Sequence, residues 1–120
     1  MPHEAERYLY DIFDACSRIT SYAAGLTLDT YRDDPKTRDA VERCLEIVGE
    51  AFKQLMQQHP SLANLFPEAS QAIGLRNILA HEYGDIEDER VWLVVTLKVP
   101  DLLSRTAAEL ERRQAQKGYQ

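Results

Sequence analysis

Apolar residues recur at spacings of three and four along three separate runs of the chain. In residues 4–24 they are Leu9, Ile12, Phe13, Cys16, Ile19 and Ala23. That is one stripe of an amphipathic helix. Gly25 follows as the expected stop. The stripe returns in residues 36–58 through Val41, Cys44, Leu45, Val48, Phe52 and Leu55, widened by Ile47, Ala51 and Met56. Pro35 suits the first turn of this second long helix. "LTLDTYRDDP" between the two is a loop or a short helical turn. "QHPSLANLFPEAS" carries Pro60 and Pro67 and reads as a connector with room for one short turn. A third helix is expected over residues 68–82, with Ala72, Leu75, Ile78 and Leu79 inward and Gly84 as its stop.

The remainder, "DIEDERVWLVVTLKVPDLLSRTAAELERR", is ambiguous. "VWLVVTLKV" alone has the β-branched continuity of a buried strand. Yet Asp85 can cap a helix, and Glu87, Asp88 and Glu89 favour a first helical turn. Leu102, Leu103, Thr106 and Leu110 then continue at helical spacing. A lone strand would find no partner elsewhere. The segment is therefore expected to be helical, with a break or kink near Pro100. The expected fold is all-α: an up-and-down bundle of four to five helices. One domain spans residues 1–120, with about the last eight, within the basic "RRQAQKGYQ", expected to fray.

Length and charge narrow this picture. A chain of 120 residues can bury roughly two-thirds of the surface its unfolded form exposes, so it needs neither disulfides nor a metal. Fourteen Lys and Arg against twenty Asp and Glu give a net charge of −6. That argues against a broad nucleic-acid-binding face, though not against a local cleft that handles one phosphate. Cys16 and Cys44 both occupy apolar helical positions and read as reduced thiols in a cytosolic core. No zinc-like ligand spacing, signal peptide or apolar span of membrane length is evident, so a cytoplasmic protein with no membrane partner, no metal site and no cofactor is expected.

One stretch does not fit a plain core helix. "LRNILAHEYGD", residues 75–85, places Arg76, Asn77, His81, Glu82 and Tyr83 within about two turns. At about 100° per residue, Arg76 and Tyr83 share one row, and Asn77 and His81 share the next. Ala80, close to the same sector, leaves room above the helix. The four polar groups can line one groove, or they can form an ordinary solvated face. As a set their chemistry is coherent. Arg offers a planar fork matched to phosphate. His exchanges a proton near neutral pH. Asn can hold the imidazole or a phosphate oxygen, and Tyr adds a stacking ring and a hydroxyl. With no carboxylate cluster beside them, these groups suit RNA cleavage through its own 2′-hydroxyl, with His in proton transfer and Arg stabilising the phosphorane-like transition state.

These residues also carry a resemblance. "LRNILAHEY" resembles the Arg-Asn-x3-His-x-Tyr signature of the HEPN superfamily, and the chain as a whole is similar to its HepT-like branch, the toxin half of the MNT/HEPN toxin–antitoxin modules. "YLYDIFDACSRITSYAAGL", "KTRDAVERCLEIVGEAFKQL" and "IGLRNILAHEYGDIEDERVW", ending in "VPDLL", support it in order across residues 7–105. The resemblance implies an all-α homodimer that brings two motifs into one cleft, and metal-independent endoribonuclease activity on an RNA substrate. It implies Arg76 and His81 as the catalytic pair and Asn77 as a supporting polar group. It further implies that a cognate minimal nucleotidyltransferase antitoxin attaches AMP to Tyr83, in a complex that could assemble beyond the dimer. Each AMP would add charge and bulk that repel and block RNA.

Two readings of other classes compete: a non-catalytic helical module that docks a nucleotidyltransferase and presents its substrate, and a dimeric scaffold. The intact Arg–His pair speaks against the first, and the acidic charge mildly for it. Glu46 and Glu50, four apart, are either helix-edge carboxylates or include one buried against Arg76 or a dimer partner; Gly49 beside Glu50 would let a neighbouring helix approach. Trp92 reads as core or dimer packing, and His3 and His59 as lone histidines without a catalytic role. Arg32, Lys36, Arg38 and Arg43 read as a solvated face more than as a phosphate-contacting rim.

Overall fold

The computed structural model describes residues 4–117 except 82–86, and for His81 the backbone only. Glu82, Tyr83, Gly84, Asp85 and Ile86 therefore lie outside the described residues, as does His3. The described residues are all helical apart from short connections. Helix α1 (Glu4–Ala23) is followed by α2 (Leu28–Arg32), α3 (Pro35–Gln58), α4 (Pro60–Ala63) and α5 (Ala69–His81). Beyond the undescribed residues, α6 (Asp88–Leu93), a π-helical segment (Val94–Lys98) and α7 (Val99–Lys117) run on without a break. Counted with residues 88–117 as one rod, this gives six helical segments among the described residues, not four to five. The difference lies in the two short segments, α2 and α4, which periodicity over so few residues does not resolve.

Each start and stop has a local cause. Gly25 adopts φ 77°, the left-handed conformation that ends α1 at little steric cost. At the N-terminus of α2, Thr27 and Thr30 exchange capping hydrogen bonds. At α3, Asp34 caps: its Oδ1 accepts from the Thr37 amide at 3.0 Å and its Oδ2 from the Thr37 hydroxyl at 2.7 Å. Pro35 then opens the first turn, where no amide hydrogen is needed.

The residues read as a strand candidate are helical, and the expected break near Pro100 takes the form of a widened turn just before it. Pro100 offers no amide hydrogen, and in a regular α-helix its ring would crowd the carbonyl of residue 96. Over Val94–Lys98 the ladder loosens, and the Val99 amide donates to Val94 O. The Thr96 hydroxyl donates to Trp92 O at 2.9 Å, inserting a side chain into the same ladder.

Helix α3 is the central rod, packed on α1 and on α5, while α7 packs on α1. The core holds Leu9, Ile12, Ile19, Val41, Phe52, Leu55 and Tyr31, all fully buried. Phe52 and Phe66 meet with ring centroids 5.5 Å apart, tying the 59–66 connector to α3. Trp92 rests against Tyr31 at 5.1 Å, so it packs rather than presenting a platform for a base. Cys16 and Cys44 are free and buried; burial pushes the Cys16 thiol up to about 12 and raises Cys44 as well. Both thiols are thus held in the unreactive, protonated form. Lys117 at the end of α7 pairs with Glu6 of α1. Among the described residues, no helix is long and apolar enough to cross a membrane.

The α3 cap yields a pH-dependent expectation. Hydrogen bonds from Thr37 hold the Asp34 carboxyl below its ordinary value. Its stabilisation is therefore complete above the unfolded value of about 3.9 and fades as pH falls through the lower folded value. Asp34→Ala should lower the melting temperature at pH 7, and the gap to wild type should narrow below about pH 4; thermal melts across pH 2.5–7 check this.

Candidate functional site

Helix α5 carries the Arg-x4-His motif, and its placement rests on one close approach. A Cβ built on Gly49 of α3 would run into Arg76 Cβ and come within 2.6 Å of Ala72 O. No larger residue fits there, so glycine lets the two helices meet backbone to side-chain root. The face of α5 turned to α3 begins with Ala69, Ala72 and the stem of Arg76. Ala72, Ile73, Leu75 and Leu79 pack half-buried against the core. Ile78, expected inward, instead lines a surface groove with Gly74, Arg90 and Val94. Apolar residues are spread round α5, because it covers one wall of α3 and leaves other faces outward.

Arg76 itself is three-quarters buried: its side chain is 24% exposed. Its Nη1 donates to Asn77 Oδ1 at 3.1 Å, and its Nη2 lies 3.2 Å from Glu50 Oε2. The Glu50 carboxylate stands against Arg76 while its side chain stays 45% exposed, so it is a helix-edge group and the partner of Arg76 at once. Glu46 pairs with Arg43 at 3.2 Å. Arg76 and Ala80 line a groove of about 410 Å³ between α1, α3 and α5, together with Arg7, Tyr8, Asp11, Arg43, Glu46 and Glu50. Three guanidinium groups face three carboxyls there, so the groove is charge-balanced rather than a basic channel. Burial pushes the Asp11 carboxyl up while Arg7 draws it down.

The other cations weighed as a rim behave differently. Arg38 bonds Asp88 at 3.1 Å, joining the start of α3 to the start of α6. Arg32 lies near Asp29 and Glu89, at 3.7 and 4.0 Å. Arg43 does line the groove, already paired with Glu46. The contribution of α1 through Arg7, Tyr8 and Asp11 was not foreseen, since nothing in the sequence spacing links residues near 8 to residues near 76. His81 closes α5, four residues beyond Asn77; its side chain, and Tyr83, lie outside the described residues. Among the described residues, no group of three or more His, Cys, Asp or Glu side chains could hold a metal ion.

The described residues form an all-helical bundle whose motif helix sets Arg76 at a groove, with the backbone of His81 five residues further on. Comparison with known proteins gives the family. The Ribonuclease HepT-like family matches residues 12–108. A protein of Methanocaldococcus jannaschii named "Putative RNase MJ0127" is 36% identical over 104 residues, covering 84% of each chain. A "Probable ribonuclease HepT" of Thermococcus cleftensis is 30% identical over 102 residues, covering 85% of this chain and 92% of that one. No solved structure matches the chain. The chain belongs to the HepT-like ribonuclease family.

Gly49→Ala tests the close approach. The added methyl must push α5 from α3, at a cost of about 1–3 kcal/mol, with a matching fall in denaturation midpoint. A midpoint equal to wild type would show that α5 is not seated as described.

Proposed function

We propose that this protein is the toxin of a toxin–antitoxin module: a metal-independent endoribonuclease with its site in a dimer cleft, silenced by a nucleotidyltransferase that attaches AMP to Tyr83. The observation that carries the reading is the Arg76 guanidinium. It is three-quarters buried, hydrogen-bonded through Nη1 and ion-paired through Nη2, and set on the wall of an open groove within the family's own motif. An arginine fixed in this way costs little reorganisation when it meets a phosphate.

The reaction follows from the groups. The RNA 2′-hydroxyl loses its proton and its oxygen attacks the adjacent phosphorus. The bond from phosphorus to the 5′-oxygen breaks, a 2′,3′-cyclic phosphate forms, and the leaving oxygen takes up a proton. His81 serves the proton transfers. Arg76 stabilises the charge that builds on the non-bridging oxygens. Asn77 supports Arg76 through the hydrogen bond to Nη1.

A second copy is supported by apolar surface next to the motif helix. Leu93 and Leu97 are 53% and 66% exposed on successive turns of the 88–98 rod. Ile78 lies beside the same rod, in the groove with Val94. Exposed leucines stacked one turn apart are what a self-complementary two-fold contact would cover.

Purified protein should cleave total RNA in EDTA, and His81→Ala or Arg76→Ala should each reduce the rate by about 100-fold or more. Undiminished cleavage in either variant, or none by the wild type, would refute the enzyme; the latter outcome would favour a docking module. With the partner nucleotidyltransferase and ATP, intact mass should rise in AMP-sized steps, and Tyr83→Phe should abolish the gain. Leu97→Asp should shift sedimentation from dimer to monomer; an unchanged dimer would place the interface elsewhere.

A further inference from the structure

Glu50 is not needed for the chemistry just described, yet it is the carboxylate paired with Arg76, although its side chain as a whole is 45% exposed. Its two oxygens are divided between two partners. Gln54 Nε2 donates to Oε1 at 3.2 Å, and the Arg76 guanidinium sits 3.2 Å from Oε2. The Oε2 atom is buried and makes no hydrogen bond among the described residues, so the ion pair is its compensation. Gln54 is anchored in turn: its Oε1 accepts from Gln58 Nε2 at 2.7 Å, and Gln58 also reaches the Tyr8 hydroxyl of α1 at 3.4 Å. Glu50, Gln54 and Gln58 are spaced by four on α3 and form one polar row along it. The row ends at Arg76.

Resting on the ribonuclease reading, we propose that Glu50 is a positioning residue, which holds the Arg76 guanidinium in the orientation that presents its remaining N–H groups to the scissile phosphate. The stem of Arg76 is fixed at its root by Gly49. Its head is fixed on one nitrogen by Asn77 and on the other by Glu50. A guanidinium carries five N–H donors in a rigid fork: the hydrogen bond to Asn77 uses one, the charge of Glu50 draws the other nitrogen towards α3, and the remaining donors are left for a phosphate. Placing both Gly49 and Glu50 on the same turn of α3 sets the distance and the direction of the arginine together.

The carboxylate also exerts an opposing effect. Its negative charge stands beside the place where a phosphate would sit, which weakens ground-state binding of RNA. Orientation and repulsion therefore act on different kinetic constants. Removing Glu50 should lower kcat, because the fork is misaimed, and should leave KM unchanged or lower it.

The test uses the full chain with a fluorophore–quencher single-stranded RNA of mixed sequence, and side-chain NMR of Arg76. Glu50→Ala should reduce kcat by about 10–100-fold with no rise in KM. Glu50→Gln, which keeps the length of the side chain but removes the charge that pairs with Arg76, should lose kcat in the same direction. The Arg76 Nη resonances, assigned with Arg76→Lys, should be resolved in wild type and averaged by rotation in Glu50→Ala. Wild-type kcat in Glu50→Ala, or Arg76 resonances that do not change, would overturn the proposal. So would wild-type kcat in Glu50→Gln. Should Glu50→Ala fail to fold, the comparison of Glu50→Gln with wild type decides by the same two readouts. If the wild type cleaves no RNA, the ribonuclease reading falls, and the NMR comparison alone still decides whether Glu50 orients Arg76.

Discussion

The contact on which the site depends is the approach of α5 to α3 at Gly49. At that point the neighbouring helix has no side chain between it and the root of Arg76 and the carbonyl of Ala72. Dispersion attraction falls off within an ångström of the optimal separation, so α5 gains its packing only if this turn stays tight. The requirement is acute because α5 is a covering layer. Apart from Ala69, none of its apolar residues is fully buried. A helix with so little enclosed surface is held largely by the wall it lies on. Everything attributed to Arg76 inherits its geometry from there.

Electrostatics around the groove follow the same economy of freedom. Arg43 has Glu46, Arg76 has Glu50, and Arg38 has Asp88. An acidic chain with net charge −6 gives each of these cations a carboxylate within reach. Exposed pairs of this kind add little stability. Their effect is on direction: a paired arginine points somewhere definite. RNA approaching such a protein would meet local donors in place of a wide attracting field.

Much of this was legible in advance, and the reasons differ by element. The three long stripes of α1, α3 and α5 are plain because each spans several turns, over which a period near 3.6 separates from other patterns. Pro35 and Gly25 mark boundaries because their backbone preferences are local. Gly49 and Glu50 stood out as polar and small positions within an apolar stripe. By contrast, α2 and α4 are one turn each, too short for periodicity to register. The helical nature of "VWLVVTLKV" opposes its local β-propensity, and only its flanking capping acids and the absence of a partner strand pointed to it. The widened turn before Pro100 needed the real ladder, since proline predicts a disturbance without its form. The share of α1 in the groove could not be read at all: residues about seventy apart in the chain meet only through the bundle's three-dimensional order.

The seating of Arg76 on Gly49 has a consequence for when the protein can act. The arginine belongs to α5, and the Gly49 seat and the Glu50 carboxylate against it belong to α3, more than twenty residues earlier in the chain. A nascent or partly unfolded polypeptide contains every residue of the motif but has no fixed fork to offer a phosphate. On the proposed reading, activity is therefore a property of the finished tertiary structure. On that same reading, a cell translating this chain would meet a reactive species only after the two helices have docked, which leaves an interval during synthesis in which the proposed partner could reach it first.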